Sequence, residues 1–136
     1  HGCAGRKTGT MKRYEAIEFT SLPDLECCCG TVRRAFTGDE GSPASVHLLE
    51  LADEPTCHYH RKTTEIYVIL EGEGHLELDG EMVPVSPLSA VMIKPGCRHR
   101  GVGRMKLLNI SVPGYDAEDF FHDEGVVAEG GEAPVH

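Results

Sequence analysis

Closely spaced turn residues divide most of this chain into segments too short for regular helices. The segments between the turns are rich in Val, Ile, Leu and Tyr and largely alternate apolar with polar residues, which is typical of strands. The turns are Gly38-Asp39-Glu40-Gly41-Ser42-Pro43, Glu71-Gly72, Asp79-Gly80, Ser86-Pro87, Lys94-Pro95-Gly96 and Pro113-Gly114. We predict strands over 14–19, 31–36, 45–51, 65–70, 75–78, 81–85, 90–93, 99–102 and 107–112. Short strands in succession indicate an all-β sandwich or barrel and not a βαβ fold.

The length of 136 residues suits one domain. We predict a single domain over 1–136, with a barrel core at about 45–112 and N-terminal strands within 14–36. The end of the chain, 116–136, is acidic: seven carboxylates and no Lys or Arg lie between Asp116 and Glu132. We expect this tail to be solvated, apart from a short C-terminal helix over 117–121 that Asp116 would cap.

Charge and hydropathy exclude two classes of partner. The net charge of −9 repels nucleic-acid phosphates. No apolar run approaches the roughly 20 residues of a membrane helix, and the polar start of the chain does not resemble a leader peptide. We therefore expect a cytoplasmic protein that binds neither nucleic acid nor membrane.

The six cysteines support the same compartment, because three of them are consecutive and adjacent cysteines rarely build a disulfide framework. We interpret Cys27, Cys28 and Cys29 as part of a buried strand, with a thiol metal site as the alternative.

One stretch carries a recognisable chemistry. His58 and His60 are two residues apart, so in an extended chain they point to the same side. Glu65 opens the next strand after a short turn, and His99 follows the turn at 94–96. Imidazole and carboxylate together suit Fe, Mn, Zn or Ni as a divalent ion. These four residues are the predicted metal ligands.

The same residues carry a family resemblance. The pattern His58-x-His60-x4-Glu65-x6-Gly72 resembles the first motif of the cupin superfamily, and Pro95, Gly96 and His99 resemble the core of the second. The second motif departs from the family at Leu88, Lys94 and Gly103, none of which corresponds to a metal ligand. The resemblance covers about 45–112.

The resemblance implies a jelly-roll β-barrel, commonly dimeric, with one metal ion near the middle of the cavity. His58, His60, Glu65 and His99 would be its ligands, and one or two coordination positions would remain open to water or substrate. We expect a homodimer, in which the strands within 14–36 are available to pair with a second subunit.

Three further residues are candidate catalytic groups. Tyr67 shares the strand face of Glu65, so it would line the same cavity. His47 and Glu50 lie on opposite faces of the strand 45–51, and either is a candidate acid or base because both faces are partly apolar.

Other groups beside the site have alternative roles. Arg98, Arg100 and Arg104 form a basic cluster that would either receive an anionic substrate or remain a solvated turn. Cys57 and Cys97 are possible thiolate ligands, although the alternation of Cys57 with His58 points it away.

The predicted function is that of a metal-dependent enzyme acting on a small polar molecule, with isomerase, lyase or dioxygenase chemistry. Residues 60–67 resemble sugar-isomerase-like cupins, which favours a carbohydrate or hydroxy-acid substrate. Two alternatives remain: a non-catalytic barrel that binds or senses a small molecule, and a barrel that a metal only braces.

Overall fold

The computed structural model describes residues 12–27, 30–38 and 41–123. These ranges contain eleven strands, one short 3-10 helix at Phe19–Ser21 and no α-helix. The strands are β1 (Leu25–Cys27), β2 (Gly30–Ala35), β3 (Ser45–Leu51), β4 (His58–Tyr59), β5 (Thr64–Gly72), β6 (Gly74–Leu78), β7 (Glu81–Val85), β8 (Ala90–Ile93), β9 (His99–Val102), β10 (Met105–Val112) and β11 (Phe121–His122).

The strands form two antiparallel sheets that face each other across one core. The larger sheet has the order β1-β2-β3-β10-β5-β8, and the smaller has the order β11-β4-β9-β6-β7. From β3 onward the chain crosses repeatedly between the sheets, so residues distant in sequence meet inside the barrel. The predicted all-β jelly-roll of the cupin type is confirmed.

Strand register arranges the inward side chains of the larger sheet in rows that cross β2, β3, β10 and β5. We call one of them the apolar row, formed by Val32, Leu49, Leu107 and Ile69. Two residues further along each strand runs the polar row, formed by Arg34, His47, Asn109 and Tyr67. Because every second residue faces inward, both rows line the barrel interior.

Two turns show why the sequence pattern succeeds. Asp79 and Gly80 both have positive φ, 49° and 87°, as a two-residue hairpin between β6 and β7 requires. Gly72 has φ 87°, and a Cβ there would collide with the backbone carbonyl of Arg104. The glycine of the first motif thus permits β5 and β10 to approach where their register shifts.

Two predicted elements are wrong. No strand forms over 14–19, where Tyr14 and Ile17 are 68% and 41% exposed and so have no sheet to bury them. No helix forms over 117–121 either, because residues 117–118 make a turn and Phe121 joins β11, opposite Tyr59.

The other predicted strands are present, with ends moved by at most two residues. Cys27 ends β1 and packs partly buried against the core, whereas Cys28, Cys29 and the tail after Asp123 lie outside the described residues. None of the described helices is long and apolar enough to cross a membrane.

Candidate metal centre

The fold brings the four predicted ligands together. His58 on β4 is paired in register with His99 on β9, while His60 follows β4 and Glu65 projects inward from β5. One ligand atom from each residue lies within 4.8 Å of those of the others. Three of the four are buried and His60 is partly buried, so the cluster is shielded from bulk water.

Glu65 is the centre of the cluster. Its Oε1 lies 3.2 Å from His60 Nε2 and 3.0 Å from His99 Nε2. Its Oε2 accepts a 2.8 Å hydrogen bond from Asn109 Nδ2. Burial alone would raise the pKa of Glu65, but its contacts with His60 and His99 hold this pKa well below the usual range. The carboxyl group is therefore ionised at neutral pH.

Backbone carbonyls orient two of the imidazoles. His60 Nδ1 lies 2.6 Å from the carbonyl oxygen of Asp119, and His99 Nδ1 lies 2.9 Å from that of Cys97. A carbonyl only accepts, so each Nδ1 carries a proton and donates it. In the neutral rings, the lone pair is then on Nε2, the nitrogen that faces Glu65.

This arrangement of acceptor atoms requires a proton or a metal cation between them. Two Nε2 lone pairs and a carboxylate oxygen would otherwise meet as acceptors only, and His60 Nε2 is buried without an aligned hydrogen-bond partner. Protons on the rings would meet this requirement: burial lowers the pKa of His60, but the direct contact with Glu65 and the charge of that carboxylate raise it overall. A divalent metal ion would meet it too, with nitrogen and oxygen donors already aimed at one point. The donor set therefore fits the metal that the resemblance implies.

His58 has a different environment. Its Nδ1 is 3.8 Å from Glu54 Oε2, and its ring stacks on Phe120 with centroids 4.6 Å apart. Burial, followed by the charge of His99, lowers the pKa of His58 to about 3. The ring is thus neutral at physiological pH, the form in which imidazole binds metals.

The chain beyond β10 completes the site, which the sequence did not predict. The Asp119 carboxylate accepts hydrogen bonds from the backbone N–H groups of residues 61–63, at 2.7 to 3.1 Å, and from the Thr63 hydroxyl. It thereby holds the loop that joins His60 to Glu65. This use of Asp119 also explains why no helix forms at 117–121. The pair Phe120-Phe121, within an acidic segment, is only a faint sequence signal of that role.

The cluster opens into a cavity of about 140 Å³ inside the barrel. His47 and Tyr67 line it, as their parity allowed, and both are buried. His47 Nε2 lies 2.8 Å from Ser45 Oγ. Burial and the nearby Arg34 lower the pKa of His47 to about 4, so this ring is neutral at physiological pH.

Glu50 and the basic cluster do not join the site. Glu50 is exposed on the outer face of β3, so its position does not fit a pocket acid or base. With Arg104 it lines a separate surface depression. Arg98 lies 3.6 Å over the Tyr59 ring, and Arg100 pairs with Glu77 at 2.6 Å, so both are engaged outside the cavity.

The two neighbouring thiols are also outside the cluster. Burial raises the pKa of Cys57 and of Cys97 to about 11, so both remain protonated at neutral pH. Protonated thiols are poor metal ligands.

Comparison with known proteins agrees with this geometry. The family model described as a cupin domain matches residues 45–110. An uncharacterized protein of Methanocaldococcus jannaschii, MJ1618, is 33% identical over 76 residues, which are 53% of this chain and 61% of that protein. The chain thus matches less than two thirds of that relative.

Solved structures extend the similarity across the barrel. A crystal structure of a protein from Planctomyces limnophilus aligns with a TM-score of 0.73 and 34% identity, covering 84% of this chain and 99% of that one. Pac13, a nucleoside dehydratase from Streptomyces, aligns with a TM-score of 0.71 and 16% identity over 82% of this chain and 91% of its own. The fold, the ligand cluster and these matches together show that the chain belongs to the cupin superfamily.

Proposed function

We propose that this protein is a divalent-metal-dependent enzyme that acts on a small polar molecule, of the carbohydrate or hydroxy-acid type, by isomerase or lyase chemistry. The observation that carries the proposal is the convergence of the Nε2 atoms of His60 and His99 on the ionised Glu65, at the wall of an internal cavity. His58 completes the proposed ligand set. Fe, Mn, Zn and Ni all suit three imidazoles and one carboxylate.

When bound, such an ion supplies Lewis acidity toward a carbonyl, hydroxyl or carboxylate oxygen. The role of the protein is to fix the tautomer and the orientation of the side chains that would bind the ion. The carbonyls of Asp119 and Cys97 set the tautomers, and Asn109 fixes the orientation of Glu65 by donating to Oε2. Such supporting contacts commonly change metal affinity 10- to 100-fold when they are removed.

His47 is the proposed proton-transfer group. It lies on the cavity wall, is neutral and is held by Ser45. A neutral imidazole accepts a proton from substrate and returns it at another atom, as an isomerase or a lyase requires. Tyr67 lies opposite Asn109 across β5 and β10 and is the proposed substrate-orienting group. No role in the cavity is proposed for Glu50.

This proton-transfer group favours isomerase or lyase chemistry over dioxygenase chemistry. The similarity to Pac13 is consistent with it, since that barrel of similar shape is named a nucleoside dehydratase. Dioxygenase activity and non-catalytic binding remain outcomes that the experiments below distinguish.

Metal analysis of the purified protein is the first test. We expect about one transition-metal ion per chain in the wild type, loss of it in His99→Ala, and retention in His75→Ala, a matched change of an exposed histidine on β6. Circular dichroism would verify that all three proteins are folded. Wild type without metal, or His99→Ala with full metal, would contradict the proposal.

Activity assays then identify the reaction class. A panel of small sugars and hydroxy acids would be incubated with the metal-loaded protein, with products followed by NMR and oxygen by electrode. We expect turnover without oxygen consumption and its loss in His47→Gln. Oxygen consumption coupled to substrate loss would identify a dioxygenase, whereas binding without turnover would identify a sensor.

We also propose a cytoplasmic homodimer. The described cysteines Cys57 and Cys97 are free thiols, which favours a reducing compartment. Among the described strands, β1 lies at the edge of the larger sheet, and Leu25 on it is 45% exposed, which favours pairing with a second subunit at this edge. Light scattering coupled to size exclusion would measure the mass, and a monomer at micromolar concentration would contradict the dimer.

A further inference from the structure

Three buried side-chain atoms in the described part of the chain have no hydrogen-bond partner: Arg34 Nε, His60 Nε2 and Asn109 Oδ1. All three residues line the cavity beside the metal cluster. Buried polar atoms without partners are uncommon and costly. Their concentration on one cavity indicates that a ligand supplies the missing partners. His60 Nε2 is explained by the metal site, which leaves one donor and one acceptor.

Arg34 supplies the donor. It lies beside His47 in the polar row, and its guanidinium carbon is 4.4 Å from the centroid of the Tyr115 ring. Stacking on an aromatic face holds the guanidinium plane and leaves its edge available for hydrogen bonds. Within the described ranges, no carboxylate forms an ion pair with Arg34. The adjacent Arg33 differs, because it bonds to the carbonyls of Phe19 and Leu22 and lies 3.8 Å from Asp24.

Asn109 supplies the acceptor. Its Nδ2 donates to the Glu65 carboxylate, which only accepts, so the orientation of the amide is determined. Oδ1 is then the atom without a partner, and it requires a hydroxyl or N–H donor from a ligand. Arg34 and Asn109 are two strands apart, about 10 Å between backbones. Their side chains shorten this span to that of a molecule with a few heavy atoms.

Charge and size define the ligand class. A cationic side chain at the wall of a low-dielectric cavity is stabilised by an anion that bonds to it directly. The cavity volume of about 140 Å³ is well below the 300–1,000 Å³ of pockets for drug-sized ligands. A carboxylate on two or three carbons fits this space better than a phosphorylated sugar.

We infer that the cavity binds a small hydroxy acid, with its carboxylate on Arg34 and a hydroxyl that donates to Asn109 Oδ1. This assignment rests on the proposed function for its link to a reaction, and it selects the acid from the two substrate types considered there. A neutral sugar would leave Arg34 without a counter-ion among the described residues. Arg34 is thus a specificity-determining residue, and sequence analysis did not single it out.

The test uses the full chain loaded with zinc, a diamagnetic ion, and repeats each titration on metal-free protein. Glycolate and lactate are the acid probes, lactamide is the uncharged counterpart, and inorganic phosphate is the alternative anion. Calorimetry gives affinities, and ¹⁵N NMR follows the Arg34 Nε–H resonance, which is assigned by its loss in Arg34→Gln. The matched control is Arg33→Gln, one residue away on the opposite face of β2.

We expect glycolate or lactate to shift the Arg34 Nε–H resonance downfield and to bind about 10- to 100-fold more weakly to Arg34→Gln than to Arg33→Gln, the range for a charged hydrogen bond. Equal affinity for lactate and lactamide, an unmoved Nε–H resonance, or tighter binding of phosphate would each overturn the inference. The lactate and lactamide titrations of wild type need no variant, so a misfolded Arg34→Gln leaves the test valid.

The outcome is separable from that of the proposed function. Metal content, measured in the same samples, reports on the ligand cluster alone. Protein that fails to hold metal but still shifts its Arg34 Nε–H resonance with lactate would contradict the enzyme proposal and support the acid site. Protein that holds metal but does not bind lactate would support the enzyme proposal and contradict the acid site.

Discussion

The apolar row and the polar row lie on the same four strands and the same face of the larger sheet, two residues apart, yet they serve opposite purposes. Leu107 and Ile69 in the apolar row are fully buried and have no polar side-chain atom to satisfy. Asn109 and Arg34 in the polar row each keep a buried atom that has no hydrogen-bond partner among residues 12–27, 30–38 and 41–123. Burial of the apolar row stabilises the folded protein, whereas burial of the unpartnered atoms in the polar row destabilises it.

The difference shows how a small barrel separates stability from chemistry. Side chains two residues apart on a strand point to the same face of the sheet. They can therefore lie in different environments of the barrel interior within one fold. The apolar row excludes water from one half of the interior. The polar row faces the candidate metal ligands in the other half, and two of its members hold buried atoms that find no hydrogen-bond partner in the described part of the chain. We therefore expect substitutions in the two rows to have distinct effects.

The largest effect on stability is expected from Leu107→Ala in the apolar row. Its side chain is fully buried between Leu49 and Ile69 in neighbouring strands, so the substitution leaves a cavity. We expect a loss of about 2–5 kcal/mol in the free energy of unfolding. Urea denaturation of metal-free protein would measure it. A loss below 1 kcal/mol would mean that the apolar row is not the main source of stability.

His47→Gln tests how burial of His47, in the polar row, affects the free energy of unfolding. The folded pKa of His47 is about 4 and its ordinary value is 6.5, so between these values the unfolded chain binds more protons. Stability contributed by keeping His47 neutral is present above pH 6.5 and is lost as the pH falls toward 4. Arg34 lowers the pKa and Glu65 raises it, and burial is the larger cause.

We expect the free energy of unfolding of His47→Gln to fall less than that of wild type between pH 6.5 and pH 4, by at most about 3 kcal/mol. Taking the difference between the two proteins removes the contributions of the other histidines. Parallel pH profiles from denaturant titrations would show that His47 is not held neutral by burial.

Asn109→Leu gives the polar row an apolar member. The change removes the unpartnered Oδ1 but leaves the buried Glu65 Oε2 without its donor, so we expect a loss of about 1–3 kcal/mol in the free energy of unfolding of metal-free protein. Metal affinity should fall about 10- to 100-fold, because Glu65 loses the contact that orients it. Competition with a chelator would measure the affinity, and unchanged affinity would remove Asn109 from the support of the site.

The smallest effect is expected from Glu50→Gln, on the outer face of the strand that carries both Leu49 and His47. We expect changes within about 0.5 kcal/mol in stability, and no change in metal content or turnover. A marked loss of turnover would mean that the inward and outward faces of β3 are not functionally separate.

Local signals were enough for much of the fold. The Asp79-Gly80 pair permits a hairpin that few other pairs permit, so β6 and β7 were predictable from their turn. Alternation placed Glu65 and Tyr67 on one face, and the His-x-His spacing placed His58 and His60 together. In each case, the property depends on residues that are neighbours in sequence.

Contacts between distant segments account for what was missed. Arg34 and Asp119 are unremarkable in their own segments, and only the pairing of β2 with β3 and of β11 with β4 brings them to the site. For the same reason, the choice between His47 and Glu50 was open, since alternation does not say which face of a strand is covered. The false strand at 14–19 had the right residues but found no partner among the described strands.

The segment that carries Asp119 and Phe120 lies beyond the region shared with the family model, which ends at residue 110, and Arg34 lies before its start at residue 45. The region matched by the family model thus contains the four candidate metal ligands, whereas Arg34, Asp119 and Phe120 lie in its flanks. On the proposals above, substitutions in the flanks would change which molecule is recognised without changing the candidate metal ligands. On the same proposals, comparing the flanking sequences would reveal differences in substrate among chains that share the four candidate ligands.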